Sequence, residues 1–416
     1  MSADEALAAT VRTEWGRLVA LLLGRFRRLD LVEDALGDAV ESAARRWPAD
    51  GVPDNPAAWL HTAARRRVLD RLRAEAMAAR KEPLLVVEAE RGGSGGAMAD
   101  PGGLVEDDVL RLVLMCCHPA LATEVASALA LRLVLGVSTG DIARLFLVPE
   151  STMAARITRG KKKIVTAGIP YGIPAADTLQ GRLRTVAQTA YLAFTAGYAP
   201  GSGPDLLRAD LAGEAIRLVR VTLALRQDER ALRALLALTL LQHSRRDARV
   251  GPDGTLVLLP DQDRSRWHRD EVAEALALLE GMPVDPDPLT ESYRLQAVIG
   301  AVHAMAPTSA DTRWDLVCDA YDALLVVNPS PSVRLASAVA VAERDGPAAG
   351  LAALDGLDDA LPTSHRLPAV RGELLARLGR SMDAREAFGV AIDRCGNDVE
   401  RAHLTARREG LPRSPD

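Results

Sequence analysis

The sequence has few cysteines, few aromatic residues and no long apolar segment. Only four of its 416 residues are cysteine. Cys116 and Cys117 are adjacent while Cys318 and Cys395 are isolated, so their spacing does not suit a disulfide framework and is typical of a reducing compartment. No apolar run approaches the roughly 20 residues of a membrane span, and the N-terminus lacks the layout of a secretory signal. These absences predict a cytoplasmic protein with no membrane partner.

The low aromatic content also limits how the cores can be built. Aromatic residues make up 3% of the chain and hydrophobic residues 48%, so the cores must consist mostly of Leu, Ala and Val. Ala, Leu and Arg favour helices, and the β-branched residues are scattered rather than set in alternating runs. We therefore predict a nearly all-α protein, with several domains in 416 residues. The formal net charge is only −5, so a surface for nucleic acid would have to be local.

Residues 104–168 contain the most informative pattern, three helices separated by short turns. The first helix would end at Gly136, and Ser138 or Thr139 would cap a short second helix. After a tight turn at 147–149, a third helix would run from Glu150 to Lys163. A short turn before a cationic helix is typical of the helix-turn-helix motif.

The third helix has one apolar and one polar face. Met153, Ile157 and Ile164 share the inner side. The outward side chains, short and polar at the start and cationic afterwards, are Ser151, Thr152, Arg156, Arg159, Lys161, Lys162 and Lys163. Short polar groups can reach base edges in a major groove, and cations can neutralise phosphates on its rim. The alternative is an ordinary helical hairpin with a solvated basic face.

This stretch resembles region 4 of extracytoplasmic-function sigma factors, subunits that give bacterial RNA polymerase its promoter specificity. The resemblance implies that the third helix reads the upstream promoter element. The run Met-Cys-Cys-His-Pro-Ala-Leu at 115–121 resembles a subgroup of that family with a long helical C-terminal extension.

The first 80 residues contain an acidic helix, predicted at 29–46 and ended by Trp47-Pro48, and a basic helix at 56–73. The pair resembles region 2 of the same family. The alternative is an ordinary pair of helices with solvated faces. By position, the resemblance implies that polymerase is contacted by Asp30, Asp34, Leu36 and Asp38. It implies that the melted downstream element is contacted by Trp59, His61, Arg65, Arg66, Arg67 and Arg71. Trp59 also falls on the apolar stripe of its helix, which favours a core position.

The second half is predicted to consist of long amphipathic helices, a small hairpin at 250–259, and helical repeats from about Thr290. Tyr321, Leu354 and Phe388 are spaced by 33 and 34 residues, and this spacing resembles tetratricopeptide (TPR) repeats. Gly346 and Gly379 keep a matching offset at the preceding helix-to-helix turns. Such repeats bind peptides or proteins on their concave side, or serve as a structural platform. The Asp/Arg/Trp run at 261–267 is interpreted as an internal ion-pair and packing lock or as a partner surface.

The predicted domains are 1–80 (region 2), 81–103 (a Gly-rich linker), 104–170 (region 4), 171–289 (a helical extension) and 290–416 (TPR-like repeats). We expect no catalytic residues, metal or cofactor; the linker lacks the Lys-Ser/Thr ending of a phosphate loop, and Cys116-Cys117-His118 lacks a second ligand pair.

The preferred hypothesis is a sigma factor that binds bacterial core RNA polymerase and promoter DNA and is regulated in cis by its extension. Two alternatives remain. The first is an operator-binding regulator with a sensing domain, and the second is an enzyme that uses Asp261, Asp263, His243 and His268.

Overall fold

The computed structural model describes residues 2–78, 102–146, 148–198 and 209–412. The predicted linker at 81–103 lies outside the described residues, except for Gly102 and Gly103 at the start of a helix. The contacts divide the chain into two compact units. Unit 1 comprises residues 1–193 and 217–227, and unit 2 comprises residues 194–216 and 228–416.

The described residues form α-helices and short helical turns, which confirms the all-α prediction. The first nine helices are Ala3–Phe26 (α1), Leu29–Asp50 (α2), Pro56–Ala78 (α3), Gly102–Cys116 (α4), Thr123–Leu129 (α5), Thr139–Leu145 (α6), Glu150–Thr166 (α7), Ala176–Tyr198 (α8) and Ala209–Leu225 (α9). The next nine are Arg230–His243 (α10), Arg269–Leu279 (α11), Pro288–Met305 (α12), Trp314–Val327 (α13), Pro331–Asp345 (α14), Pro347–Ala353 (α15), Arg366–Arg377 (α16), Ser381–Arg394 (α17) and Asp398–Glu409 (α18). Among the described helices, none is long and apolar enough to cross a membrane.

The acidic helix α2 is longer than predicted, because Trp47-Pro48 does not end it. Pro48 lacks the N–H that a helix would use, but the helix continues to Asp50. The amide of Gly51 donates to the carbonyl of Trp47 at 3.0 Å and closes the last turn. Gly51 has φ +87°, which stops the helix there.

In unit 1, α1 packs on α2, α3 and α4. The core of this packing is aliphatic, with Leu22, Val32, Leu36 and Leu60 fully buried. Two close contacts join α1 to the segment after α5. A Cβ on Gly16 would lie 2.2 Å from the carbonyl oxygen of Val134, and one on Gly136 would lie 2.7 Å from the ring of Trp15. The two predicted sigma-type regions therefore pack directly on each other within unit 1.

The helix-turn-helix pattern has the predicted order, with one irregularity. The helix α5 continues as a π-helical turn at Ala130–Val134 before the chain reverses at Gly136, where φ is +74°. Of the two candidates, Ser138 is the cap of α6, and its hydroxyl accepts the amide of Asp141 at 3.0 Å.

Unit 2 contains consecutive helices from α10 onwards, and each helix from α12 to α18 packs on the next. Successive apolar clusters fill the spaces between them, with Val317, Leu354 and Phe388 at most 2% exposed. Gly346 and Gly379 take positive φ at two turns between helices, as their matched offsets suggested. The predicted hairpin reduces to a single antiparallel bridge between Val250 and Leu256, and the described residues contain no β-strand.

Candidate nucleic-acid interface

The helix α7 has a buried apolar stripe and an exposed cationic one. Met153, Ile157 and Ile164 are at most 5% exposed, as predicted for its inner side. Gly160 completes this stripe, since a Cβ there would lie 2.7 Å from the side chain of Val125 on α5. Only glycine lets the two helices approach this closely, so the position fixes how α7 sits on the preceding helix.

On the opposite side, Ser151 and Thr152 are exposed at the start of the helix. Arg159, Lys162 and Lys163 are also exposed, and Arg156 is half-buried. No ion pair joins any of these four cations to another described residue. Thr152, Arg156, Arg159 and Lys163 follow one another at helical spacing, so polar and cationic groups form a continuous stripe along one side of α7.

Lys161 is an exception, and its predicted outward placement is corrected. Its ammonium group pairs with the carboxylate of Glu33 on α2, which is 5% exposed at the side chain. The other oxygen of Glu33 accepts the Nε of Arg132 at 2.6 Å. We call Glu33, Arg132 and Lys161 the Glu33 cluster. From the sequence, Glu33 was assigned no contact, so this buried link between α2 and α7 was missed.

Further polar contacts surround the Glu33 cluster. Arg132 also lies over the Trp15 ring, 5.6 Å from its centroid. The hydroxyl of Tyr171 donates toward the carbonyl oxygens of Ala20, at 2.8 Å, and Asp108, at 3.0 Å. Burial raises the pKa of this phenol well above its usual value. Because these contacts join α1 and α2 to α4, α7 and the segments around them, the arrangement of the two regions is specific.

The acidic helix α2 and the basic helix α3 partly neutralise each other. Asp38 accepts Arg71 at 3.0 Å and pairs with Arg67 at 3.4 Å, and Asp34 pairs with Arg71 at 3.3 Å. Four of the seven charged residues that were predicted to contact polymerase or DNA therefore pair with each other. Exposed pairs of this kind contribute little to stability, so they can exchange for other partners.

Two further predictions on these helices are affected. Asp30 is exposed and pairs with Arg28 at 2.8 Å. Leu36 is fully buried in the core of unit 1, so its predicted contact with polymerase is corrected to a packing role.

The predicted downstream-element residues lie on one helix but differ in accessibility. Trp59 is half-buried and meets the buried Trp47 edge to face, with ring centroids 5.7 Å apart, which favours the core alternative. His61 is largely buried, and burial, followed by Arg65 and Arg25, lowers its pKa. Arg66 is exposed. The rings of Trp59 and His61 are therefore both at least partly covered, and of these three residues only Arg66 is exposed.

Cys116 and Cys117 are completely buried thiols. Burial raises the pKa of Cys117 to about 12 and raises that of Cys116 as well. The ring of His118 is engaged elsewhere, because its Nδ1 accepts the amide N–H of Ala120 at 3.0 Å and closes the turn after α4.

In unit 2, the Asp/Arg/Trp run forms a packing lock. Arg264 is 8% exposed and donates to the carbonyl oxygens of His303 and Ala306, where α12 ends. Its guanidinium lies 5.0 Å from the ring centroid of the buried Trp267. The Arg264 guanidinium lies at the negative end of the α12 dipole and against an aromatic ring. Both interactions stabilise the contact between this run and the end of α12.

Three residues of the enzyme alternative, His243, His268 and Asp263, lie in two different environments. Asp263 accepts the amide of Ser265 at 2.9 Å, within its own turn. His243 and His268 both contact Arg246, at 2.8 and 3.0 Å, and His243 also contacts the carboxylate of Glu271. The two histidines therefore belong to one network, and Asp263 is engaged elsewhere.

Comparison with known proteins bears on both halves of the chain. Residues 111–164 match the family Sigma-70, region 4, and residues 182–282 match a family of unknown function (DUF6596). Uncharacterized protein R00370 of Rhizobium meliloti (strain 1021) is 41% identical over 396 residues, 95% of this chain and 93% of that protein. The solved TPR domain of P58(IPK) is 12% identical over 91% of this chain and 97% of that chain, and its TM-score of 0.26 carries no structural argument. The region 4 match confirms the predicted sigma-type helix-turn-helix domain.

Proposed function

The chain belongs to the family of the Rhizobium meliloti protein R00370, and we propose that it is an RNA polymerase sigma factor of the extracytoplasmic-function type. It would bind bacterial core RNA polymerase, direct it to specific promoters and catalyse no reaction of its own. The observation that carries the proposal is the exposed stripe on α7 within a sigma-70 region 4, which has polar groups at its start and unpaired cations after it.

The stripe suits a major groove. Ser151 and Thr152 stand where a recognition helix contacts base edges. Arg156 and Arg159 are one and two turns further along and can bind guanine edges or phosphates. Lys162 and Lys163 are compact charges that suit phosphates. We therefore assign base reading to the first two turns of α7 and backbone neutralisation to the last two.

In region 2, the pairs between α2 and α3 support a partner-exchange role. When polymerase replaces Arg67 and Arg71 as the partner of Asp34 and Asp38, the two arginines become available to the melted strand. Arg66 is exposed and needs no exchange. The proposed role of Trp59 changes to support of this surface, since its ring is engaged with Trp47.

For the extension we propose regulation in cis. Two observations support this proposal. The extension is fused to the sigma-type regions in one chain, and its stacked helices form a scaffold of the kind that binds peptides or proteins. Removal of the residues beyond about Pro174 is then expected to change transcription from the target promoter; unchanged transcription by a folded truncated protein would rule the idea out.

The second candidate, an operator-binding regulator, is favoured by the same α7 stripe. It predicts tight duplex binding without polymerase. It assigns no role to the paired acidic and basic helices before residue 80.

The test is transcription in vitro with bacterial core RNA polymerase and DNA from upstream of the protein's own gene. The wild-type chain should give specific transcripts, and the double variant Arg156→Ala/Arg159→Ala should lose them. The matched control is Arg313→Ala/Arg344→Ala, which removes two arginines from unit 2 that pair with Asp315 and Asp345. Transcripts that persist in the α7 variant, or that fall equally in the control, would contradict the assignment.

A further inference from the structure

We propose that His365, Cys395 and Glu400 form a binding site for a zinc ion in unit 2. These three residues bring an imidazole nitrogen, a thiol sulfur and a carboxylate oxygen within 4.8 Å of one another. The Nε2 of His365 and the carboxylate of Glu400 are 2.9 Å apart. His365 and Glu400 are 35 residues apart in the sequence, so the three residues do not form a short motif with a recognisable ligand spacing.

The fold explains why they meet. His365 immediately precedes α16, Cys395 follows α17 and Glu400 lies in the first turn of α18. Because α16, α17 and α18 pack in succession, the start of the first, the end of the second and the start of the third lie at one end of the stack. Asn397 fixes the last of these positions, as its side chain accepts the amides of Val399 and Glu400 at 3.1 Å.

The separations fit a tetrahedral ion. Zinc binds sulfur at about 2.3 Å and nitrogen or oxygen at about 2.0–2.2 Å, so ligand atoms lie about 3.3–3.8 Å apart around it. Side-chain rotations are enough to bring three atoms already within 4.8 Å to these distances. Three protein ligands leave a fourth position for water.

The chemistry of the donors selects the metal. A thiolate with an imidazole favours Zn²⁺ over Mg²⁺ or Ca²⁺, which prefer sets of oxygen ligands. On binding, the S–H bond of Cys395 breaks, a Zn–S bond forms and one proton passes to the solvent. The thiolate and carboxylate then balance the two charges of the ion. Cys395 is 3% exposed, so the thiolate is shielded from water, whereas His365 and Glu400 are accessible enough for an ion to enter.

The neighbouring Arg401 does not occupy the ligand atoms. Arg401 donates to the carbonyl oxygen of Cys395, rather than to its sulfur, and pairs with Asp398 at 2.9 Å. The thiol has a weak contact of 3.4 Å with the carbonyl oxygen of Asn397, which an ion can replace. The competing interpretation is a His–Glu ion pair beside a packed cysteine, and it predicts no metal affinity.

The test uses Co²⁺ as a spectroscopic probe on the full-length reduced protein. We expect one equivalent of Co²⁺ to release one proton and to give the near-ultraviolet thiolate-to-cobalt absorption with tetrahedral visible bands. Stoichiometric Zn²⁺ should then displace the Co²⁺ without further proton release. Cys395→Ser should abolish the thiolate absorption, whereas Cys318→Ser, a buried cysteine of another core cluster, should retain it.

Glu400→Gln leaves the thiol in place and provides a second test of the site if Cys395→Ser fails to fold. It should weaken binding by at least about 10-fold, the effect expected even for loss of an outer-shell partner. Absorption that is missing in the wild-type chain, or that survives in Cys395→Ser, would overturn the proposal. The outcome does not depend on whether the chain directs transcription.

Discussion

The Glu33 cluster gives the sharpest prediction about how α2 is held to the helix-turn-helix segment. Replacement of Glu33 by glutamine keeps the shape of the side chain but removes the charge that faces Arg132 and Lys161. The amide can still accept from Arg132, while its NH2 group then faces the ammonium of Lys161. Breaking a buried ion pair by changing one partner costs about 3–5 kcal/mol.

The structure reduces that figure. The side chains of Arg132 and Lys161 are each 23% exposed, so water can solvate part of the uncompensated charge. We therefore expect Glu33→Gln to lower the free energy of unfolding of unit 1 by about 2–3 kcal/mol. Glu41→Gln is the matched control on the same helix, since Glu41 pairs with Arg45 at an exposed site and should cost less than about 1 kcal/mol.

Urea unfolding followed by tryptophan fluorescence measures the difference, because three of the five tryptophans, Trp15, Trp47 and Trp59, lie in unit 1. Trp267 and Trp314 lie in unit 2 and should give a part of the signal that the Glu33 change leaves unaltered. A lower midpoint with an unchanged slope would indicate lost stability rather than a changed unfolded state. In DNA binding, the freed Lys161 should add about one phosphate contact and steepen the salt dependence accordingly. Equal losses of unfolding free energy for Glu33→Gln and Glu41→Gln would contradict the stabilising role assigned to the Glu33 cluster.

Three other predictions follow from single sites. Lys162→Ala/Lys163→Ala should weaken DNA binding at all sequences alike and reduce the slope of log K against log salt by about 2, measured by fluorescence anisotropy; an unchanged slope would show that these lysines contact no phosphate. Gly37→Ala should stabilise the protein by about 1 kcal/mol in thermal unfolding, because a Cβ meets no atom within 4 Å, whereas Gly16→Ala should destabilise it; the reverse order would contradict the packing described. Burial, then Arg245 and Arg264, lowers the pKa of His303 to about 4. As the pH falls, His303 is protonated in the unfolded chain at a higher pH than in the folded chain. Its contribution to the free energy of unfolding should therefore be fully present above pH 6.5 and fall by up to about 3 kcal/mol as the pH drops toward 4. In urea titrations, His303→Gln should remove this part of the acid sensitivity.

The sequence predicted the elements whose signals are local. The apolar spacing of Met153, Ile157 and Ile164 was enough to orient α7. The pair Ser138 and Thr139 was enough to place the start of α6, although the structure was needed to identify Ser138 as the cap. Gly346 and Gly379 indicated turns because only glycine accepts positive φ easily. These features depend on residues within one or two turns of each other, so they can be derived without knowledge of the tertiary packing.

Features that depend on distant residues were missed or wrong. Glu33 looks like a surface acid on its own helix, and only the approach of Arg132 and Lys161, about 100 and 130 residues later, shows that it is buried. Leu36 was assigned outward by family position, although its helical phase points into the core. The short apolar runs near Val250 suggested a hairpin, but only one bridge forms. The alternation was too short to specify strands that lack a sheet to join.

The most direct test of the central claim is promoter melting. A promoter duplex with a fluorescent base analogue in the downstream element would be mixed with the chain, with core RNA polymerase, or with both. We expect fluorescence to rise only when both are present, and Arg156→Ala/Arg159→Ala to abolish the rise. Tight, specific binding of the duplex by the chain alone, with no melting when polymerase is added, would contradict the account and favour an operator-binding regulator.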